Sequence, residues 1–379
     1  MLVSFILGIT VLSCSSAKPK ADKTLHVATL PDSVSTETMN AMYEEIKTPY
    51  KYGMVLIHKD TSNMIDCPTV FRMNDTWYMT YLTFNGRGYE TCLAKSADLL
   101  HWDTLGRVLP FTEEGRWDWN QAAGYPSLID HTWGGSYALQ PFEKKYWMSY
   151  FGSNSGGYEK GLLAIGMANT STDPTQPHAW NRLESPVMET TDSNAAYWEN
   201  KKLYKSSIIW DRTMKTGKPF VMYYNAVGDT SSFKSWIERI GLATSDDMIH
   251  WERYRGNPIL DHGIGLTGDG VIQKIGDVYV MFYYGAFWPE GRKEAFNRFA
   301  CSYDLIHWTD WTGDDLIKSS EPYDIKYAHK PCVVKWNGTV YHFYCAVNEL
   351  EQRGLAVATS QDLGKSDLNF PKIHKKLKR

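Results

Sequence analysis

Residues 302–311 read SYDLIHWTDW, and the first seven of them recur. SADLLHW runs from Ser96 to Trp102 and SDDMIHW from Ser245 to Trp251. A weaker copy, NTSTDPTQPHAW, covers Asn169–Trp180, and a truncated one, TSQDLGKS, starts at Thr359. A phrase repeated along about 300 residues signals a repeat architecture, in which each copy is one supersecondary unit.

Ahead of each phrase stands an apolar strand, a polar turn and an aromatic strand. The five stretches are PTVFRMNDTWYMTY (68–81), YALQPFEKKYWMSY (137–150), SSIIWDRTMKTGKPFVMYY (206–224), DGVIQKIGDVYVMFY (269–283) and PCVVKWNGTVYHFY (331–344). Their Asn-Asp, Gly-Asp and Asn-Gly turns supply the positive φ that tight hairpins need. A third strand follows each hairpin: TCLAKS, LLAIGMA, RIGLATS, RFACS and GLAVATS. The repeated phrase then leads into a fourth. Four strands repeated five times predict an all-β, five-bladed β-propeller, whose radial closure protects the edges of small sheets. The Ser and Asp of the phrase are expected to cap the turn through side-chain-to-backbone hydrogen bonds. Its Trp is expected to pack between blades. His101, His250 and His307 are then turn histidines without a catalytic role.

The chain's 379 residues and 43% apolar content suit a large folded domain. The net charge of −3 shows no basic stripe and gives no sign of a nucleic-acid partner. Aromatic residues are abundant, with 15 Trp and 24 Tyr. They serve as core between sheets and as stacking platforms for a flat ligand such as a sugar ring. The N-terminus, MLVSFILGITVLSCSS, has an apolar run too short to span a membrane and fit for a signal-peptide core. Residues 1–14 are therefore assigned to a signal peptide. Residues 15–50 form a linker with a short helical extension, capped at Ser35 or Thr36 and stopped by Pro49. Residues 51–365 form the propeller and 366–379 a basic tail. No CxxC or Cys/His metal spacing occurs, so Cys67, Cys92, Cys301, Cys332 and Cys345 are expected as buried free thiols. Neither a phosphate-binding glycine loop nor a Ser-His-Asp elbow appears.

Five such blades with SxDLxHW turns, and an acid just ahead of the first inner strand, resemble the five-bladed propeller glycoside hydrolases of family 43 and its relatives in families 32, 62, 117 and 130. The resemblance spans about residues 50–365. Val11-Leu12-Ser13-Cys14 resembles a bacterial lipobox, which implies lipid attachment at Cys14. It also implies an exported, lipid-anchored protein of the periplasm or outer membrane, as in the glycan-degrading systems of Bacteroidetes. The anchor is the only expected membrane contact, and a monomer is the expected state.

The resemblance implies a site at the mouth of the central channel, where the inner strands begin. Asp66 in IDCPTVF takes the place of the base, with Cys67 inserted before Pro68. In the second blade the aligned positions are Gly135 and Tyr137, and neither is an acid. Glu199 is the third-blade acid candidate, and Asp269, flanked by Gly268 and Gly270, is a second strong carboxylate. His329 aligns with Asp66, at a place where the family often holds a calcium or a water. No other cofactor is implied. Glycoside hydrolysis needs two carboxyl groups across the scissile bond, so Asp66, Asp269 and Glu199 are the catalytic candidates. Glu90, Glu159, Asp118, His329 and Lys330 are candidates for contact with a carbohydrate. Trp117, Trp119 and Trp288 are candidate platforms. Arg298 and Arg353 are candidates for pairing with site acids or an anionic sugar. Two alternatives stay open from the sequence: a non-catalytic glycan-binding propeller, and an inverting phosphorylase with a cationic phosphate site beside the acids.

Overall fold

The computed structural model describes residues 32–60, 62–229, 237–289 and 292–372. The signal peptide, Cys14 and the second half of the basic tail lie outside the described residues. Among the described residues nearly all the regular structure is β, with one short helix, α1 (Thr36–Ile46). Ser35 caps that helix, its hydroxyl accepting from the Thr38 amide at 3.2 Å. Met39 and Ile46 bury against Val280, Phe299 and Val333.

The strands fall into antiparallel runs of four. The first is β2 (Met64–Met73), β3 (Thr76–Phe84), β4 (Tyr89–Ser96) and β5 (Asp103–Leu109). The second is β6 (Gln121–Pro126), β7 (Tyr146–Ser153), β8 (Ala164–Thr170) and β9 (Asn181–Arg182). The third is β10 (Lys202–Trp210), β11 (Phe220–Val227), β12 (Ile237–Ser245) and β13 (Glu252–Arg253). In the fourth, β14 (Gly265–Ile275), β15 (Val278–Ala286) and β16 (Ala295–Ser302) are followed by two short strands on β16: β17 (Thr309–Asp310) and β18 (Ile317–Lys318). The fifth run is β19 (Tyr327–Trp336), β20 (Thr339–Val347) and β21 (Arg353–Thr359). Its fourth strand comes from the other end of the domain: β1 (Tyr50–Leu56) pairs antiparallel with β21. Short parallel bridges, β12 to β14 and β16 to β19, join the last three runs into one sheet. The leading strands β10, β14, β19 and β2 pack each on the next, and β6 packs on β10, β3 and β4.

The repeated turn is as expected. Ser96 Oγ accepts from the Asp98 and Leu99 amides, and Asp98 Oδ1 from those of Leu100 and His101. The His101 ring bonds Asp98 Oδ2 at 2.7 Å. The copies at 245–251 and 302–308 repeat every one of these contacts. Leu99, Met248 and Leu305 all take left-handed φ, which the serine and aspartate caps hold in place. Trp102 packs edge-on against Phe343 of the fifth run, and Trp308 against Tyr223 of the third. The repeated indoles thus lock one run to the next.

The second run departs from the sequence reading. Its leading strand is β6, ahead of the expected YALQP segment. Residues 137–145 form a side hairpin instead, with isolated bridges Ile129 to Leu139 and Phe142 to Lys145. Tyr137 is fully buried, and its hydroxyl accepts from the amides of Gly134 and Lys335. That anchoring draws the segment out of the four-strand order.

Candidate active site

Four leading strands carry a register irregularity at the same place: Asp66/Thr69 in β2, Leu203/Ser206 in β10, Gly268/Val271 in β14 and His329/Cys332 in β19. A bulge adds one residue and re-aims its side chain, which is why bulges gather beside active sites. Three of the inserted residues, Cys67, Asp269 and Lys330, hold left-handed φ of 48°, 57° and 61°. Such non-glycine conformations cost about 1–3 kcal/mol each and persist where the surroundings enforce them. All three line one cavity of about 380 Å³. By this register Asp269 matches Cys67, one position earlier than its sequence alignment to Pro68, and His329 matches Asp66.

The third strands also contribute. Counting back seven residues from each turn serine (Ser96, Ser245, Ser302 and Ser360) gives Tyr89, Glu238, Ala295 and Arg353, and all four line the cavity. Glu238 is the residue that sequence reasoning missed. This constant offset from the repeated serine could have found it.

Glu238 is 6% exposed, and its Oε1 accepts from Asn225 Nδ2 at 2.8 Å. The same amide nitrogen donates to Asp269 Oδ1 at 2.7 Å, so the two carboxyl groups flank one nitrogen. The Asp269 amide donates back to Asn225 Oδ1. Gly268 makes room for this cluster, because a Cβ there would stand 2.6 Å from Glu238 Oε1. Burial, reinforced by Asp269 and Glu159, pushes the Glu238 carboxyl up to about 8. Glu238 is therefore protonated at neutral pH and can give a proton. Glu159, on the loop after β7, lines the same cavity and faces Lys202 and the Tyr204 phenol. Lys205 lies 3.7 Å from Asp269 Oδ2.

Asp66 is fully buried behind this wall. Its Oδ2 accepts from Lys330 Nζ and Arg353 NH1, each at 2.8 Å, and its Oδ1 from the Cys67 amide. Burial alone would raise its carboxyl, but Lys330 and Arg353 overcome that and hold it well below the usual range. Asp66, the candidate base of the sequence, is not among the residues that line the cavity. With its proton-accepting oxygen taken up by two cations, it is a counter-ion that fixes Lys330 and Arg353 at the cavity. His329, which also lines it, is kept neutral: burial, with Lys330 beside it, lowers its imidazole to about 3. Ligand atoms of Asp66, His329 and Cys345 lie within 4.8 Å of one another. They do not fit the expected calcium. That ion takes six to eight oxygens, and this set offers a single carboxylate already shared by two cations.

Asp269, Glu159, His329, Lys330 and Arg353 thus converge as expected, with Asp66 directly behind them. The other candidates do not line the cavity. In four runs a tyrosine of the second strand donates to a buried or half-buried carboxyl: Tyr150 to Asp118, Tyr224 to Glu199, Tyr283 to Asp310 and Tyr344 to Asp324. Asp118 also pairs with Arg116 and Arg182, and Glu199 with Arg253 at 3.0 Å. These acids tie parts of their runs together, and Asp118 and Glu199 stand outside the cavity lining. Glu90 is held by Arg107 and the Phe111 amide. Arg298 pairs with Asp315 at 2.9 Å. Trp117 stacks on Tyr150, and Trp119 lies beneath the Arg87 guanidinium. Trp288 is pinned by its bond to the Leu266 carbonyl and by stacking on His262 at 3.9 Å. The second run contributes Tyr125 from its leading strand, in place of the expected Gly135 and Tyr137.

No family model and no curated protein matches the sequence. Among solved structures, one named "Glycoside hydrolase" is 49% identical with a TM-score of 0.86, covering 89% of this protein and 99% of that one. A second, a complex named for BT0996 and RGII, is 50% identical with a TM-score of 0.87 and the same coverage. A thermostable family-43 glycoside hydrolase is 12% identical with a TM-score of 0.58, covering 81% and 91%. Zg3597, a family 117 glycoside hydrolase from the marine bacterium Zobellia galactanivorans, is 14% identical with a TM-score of 0.59, covering 84% and 91%. The last two share the fold alone. At 49% identity over 89% of its length to a relative so named, the protein belongs to the glycoside hydrolases.

Proposed function

We propose that the enzyme is a five-bladed propeller hydrolase that removes a terminal sugar from a glycan such as RGII, the partner in the name of a 50% identical relative. The five four-strand runs and the successive packing of their leading strands support the blade count. A cavity of about 380 Å³ is near the small end of the usual range of about 300–1,000 Å³. It suits the end of a glycan better than a continuous polysaccharide. Buried polar atoms without a protein hydrogen bond, Tyr89 OH, Tyr125 OH, Lys205 Nζ and Arg353 Nε, point to a ligand rich in hydroxyl groups.

The observation that carries the mechanism is the raised carboxyl of Glu238. Glu238 acts as general acid and protonates the leaving oxygen. Glu159 supplies the second carboxylate, which works on the sugar or on the attacking water as positive charge builds at the anomeric carbon. Asp269 touches neither bond. It adds to the burial that keeps Glu238 protonated, and Asn225 holds the two in register. The enzyme is exported and lipid-anchored through Cys14, acts at the periplasm or outer membrane, and works as a monomer; the N-terminal sequence supports the anchor.

The test is Glu238→Gln and Glu159→Gln assayed on an RGII oligosaccharide. Each variant is expected to lose at least about 100-fold in kcat, the usual scale for a positioned acid or base, with unchanged thermal stability. Glu238→Gln at more than a tenth of wild-type activity would remove the assignment.

A further inference from the structure

We infer that Phe287 is the platform on which the leaving-group sugar stacks. This rests on Glu238 being the general acid, because the group that protonates the leaving oxygen marks the leaving side. Glu238 shares a bridge with Leu266, and Leu266 pairs with Ala286, the residue before Phe287. At about 4.8 Å per strand, the Phe287 backbone starts roughly 10 Å from that of Glu238, on the same rung.

The aromatic rings of the cavity divide into floor and rim. Tyr89, Tyr125, Phe151 and Tyr284 are buried, whereas Phe287 is 44% exposed. Its place is enforced. Phe287 holds a left-handed φ of 57°, an outlier for a bulky residue. Gly265 lets its peptide come close, since a Cβ there would stand 2.7 Å from the Phe287 carbonyl oxygen. The pinned indole of Trp288 follows it in the chain, and the Phe287 ring packs nearly perpendicular to Tyr327, at 5.9 Å and 84°. A ring so positioned, partly exposed in the same cavity as the acid, suits the apolar face of a sugar. Tyr158, the other exposed ring at 41%, precedes Glu159 and bonds Arg353 at 3.1 Å, which places it with the opposite carboxylate. Sequence reasoning chose Trp288 as a platform. The structure uses Trp288 to hold its neighbour.

The experiment compares kcat/KM for an RGII oligosaccharide with that for the glycosyl fluoride of the sugar it releases, whose leaving group has no ring to stack. In Phe287→Ala the oligosaccharide-to-fluoride ratio is expected to fall about fivefold to tenfold, and Phe287→Tyr should restore it to within about twofold. An unchanged ratio in Phe287→Ala, or an equal fall for Phe287→Tyr, overturns the platform. Glu238→Gln is run alongside. Full activity in that variant, or an inactive wild type, overturns the underlying acid assignment and the platform with it. A changed ratio only in Glu238→Gln overturns the platform alone.

Discussion

Replacing Asp66 by Asn keeps the side chain's size and removes one negative charge from a fully buried position. Lys330 and Arg353, whose side chains are 11% and 12% exposed, are left facing each other without their counter-ion. Removing one partner of a buried pair costs about 3–5 kcal/mol. That is a large share of a typical stability of about 5–15 kcal/mol. Urea denaturation followed by tryptophan fluorescence measures it. The pH dependence gives a second handle. The folded-state carboxyl titrates below its unfolded value of about 3.9, so its stabilisation is complete above that value and drains away as pH falls through the folded one. The gap between wild type and Asp66→Asn should be constant from about pH 6 to 8 and narrow in acid. Adding Lys330→Met to Asp66→Asn should recover part of the loss, because an apolar replacement leaves one buried cation fewer unpaired. A loss below about 1 kcal/mol at pH 7, or a gap that persists unchanged at pH 3, would refute the counter-ion role.

The acid's own titration predicts the rate profile. With Glu238 held protonated up to about 8, kcat should fall as pH rises through that value, and Asp269→Asn should move this alkaline limb downward by removing a charge that raises Glu238. A limb that stays in place in Asp269→Asn would separate the two groups. In the turn motif, Ser302→Ala removes the acceptor for the Asp304 and Leu305 amides and should cost about 1–2 kcal/mol, by analogy with lost helix caps. Thermal melts of Ser302→Ala beside the wild type measure it, and equal melting temperatures would contradict the cap.

The strand repeats were legible because their periodicity is local. A period-2 apolar pattern, a tight-turn dipeptide and a serine–aspartate cap are each written within a few residues, so four of the five hairpins fall where the sequence places them. The second failed because YALQP has the right pattern, while the buried bonds that Tyr137 makes to Gly134 and Lys335 cannot be read from it. For the site, Asp269, Glu159, His329, Lys330 and Arg353 were legible as residues at strand ends facing the mouth. Glu199 and Asp118 were candidates too, and only the structure shows the tyrosine and arginine partners that hold them inside their runs.

Sequence alone determined the repeated units, the capped turns that end them, and the chemical types available at the mouth, because each depends on neighbours within about a dozen residues. Tertiary structure decided which acid keeps its proton. Asp66 and Glu238 are both buried carboxyls, but two cations from distant strands surround the first, and the second meets a fellow carboxylate across one amide. Burial raises both; cations more than 260 residues away along the chain pull Asp66 down, and the nearby carboxylate of Asp269 pushes Glu238 further up.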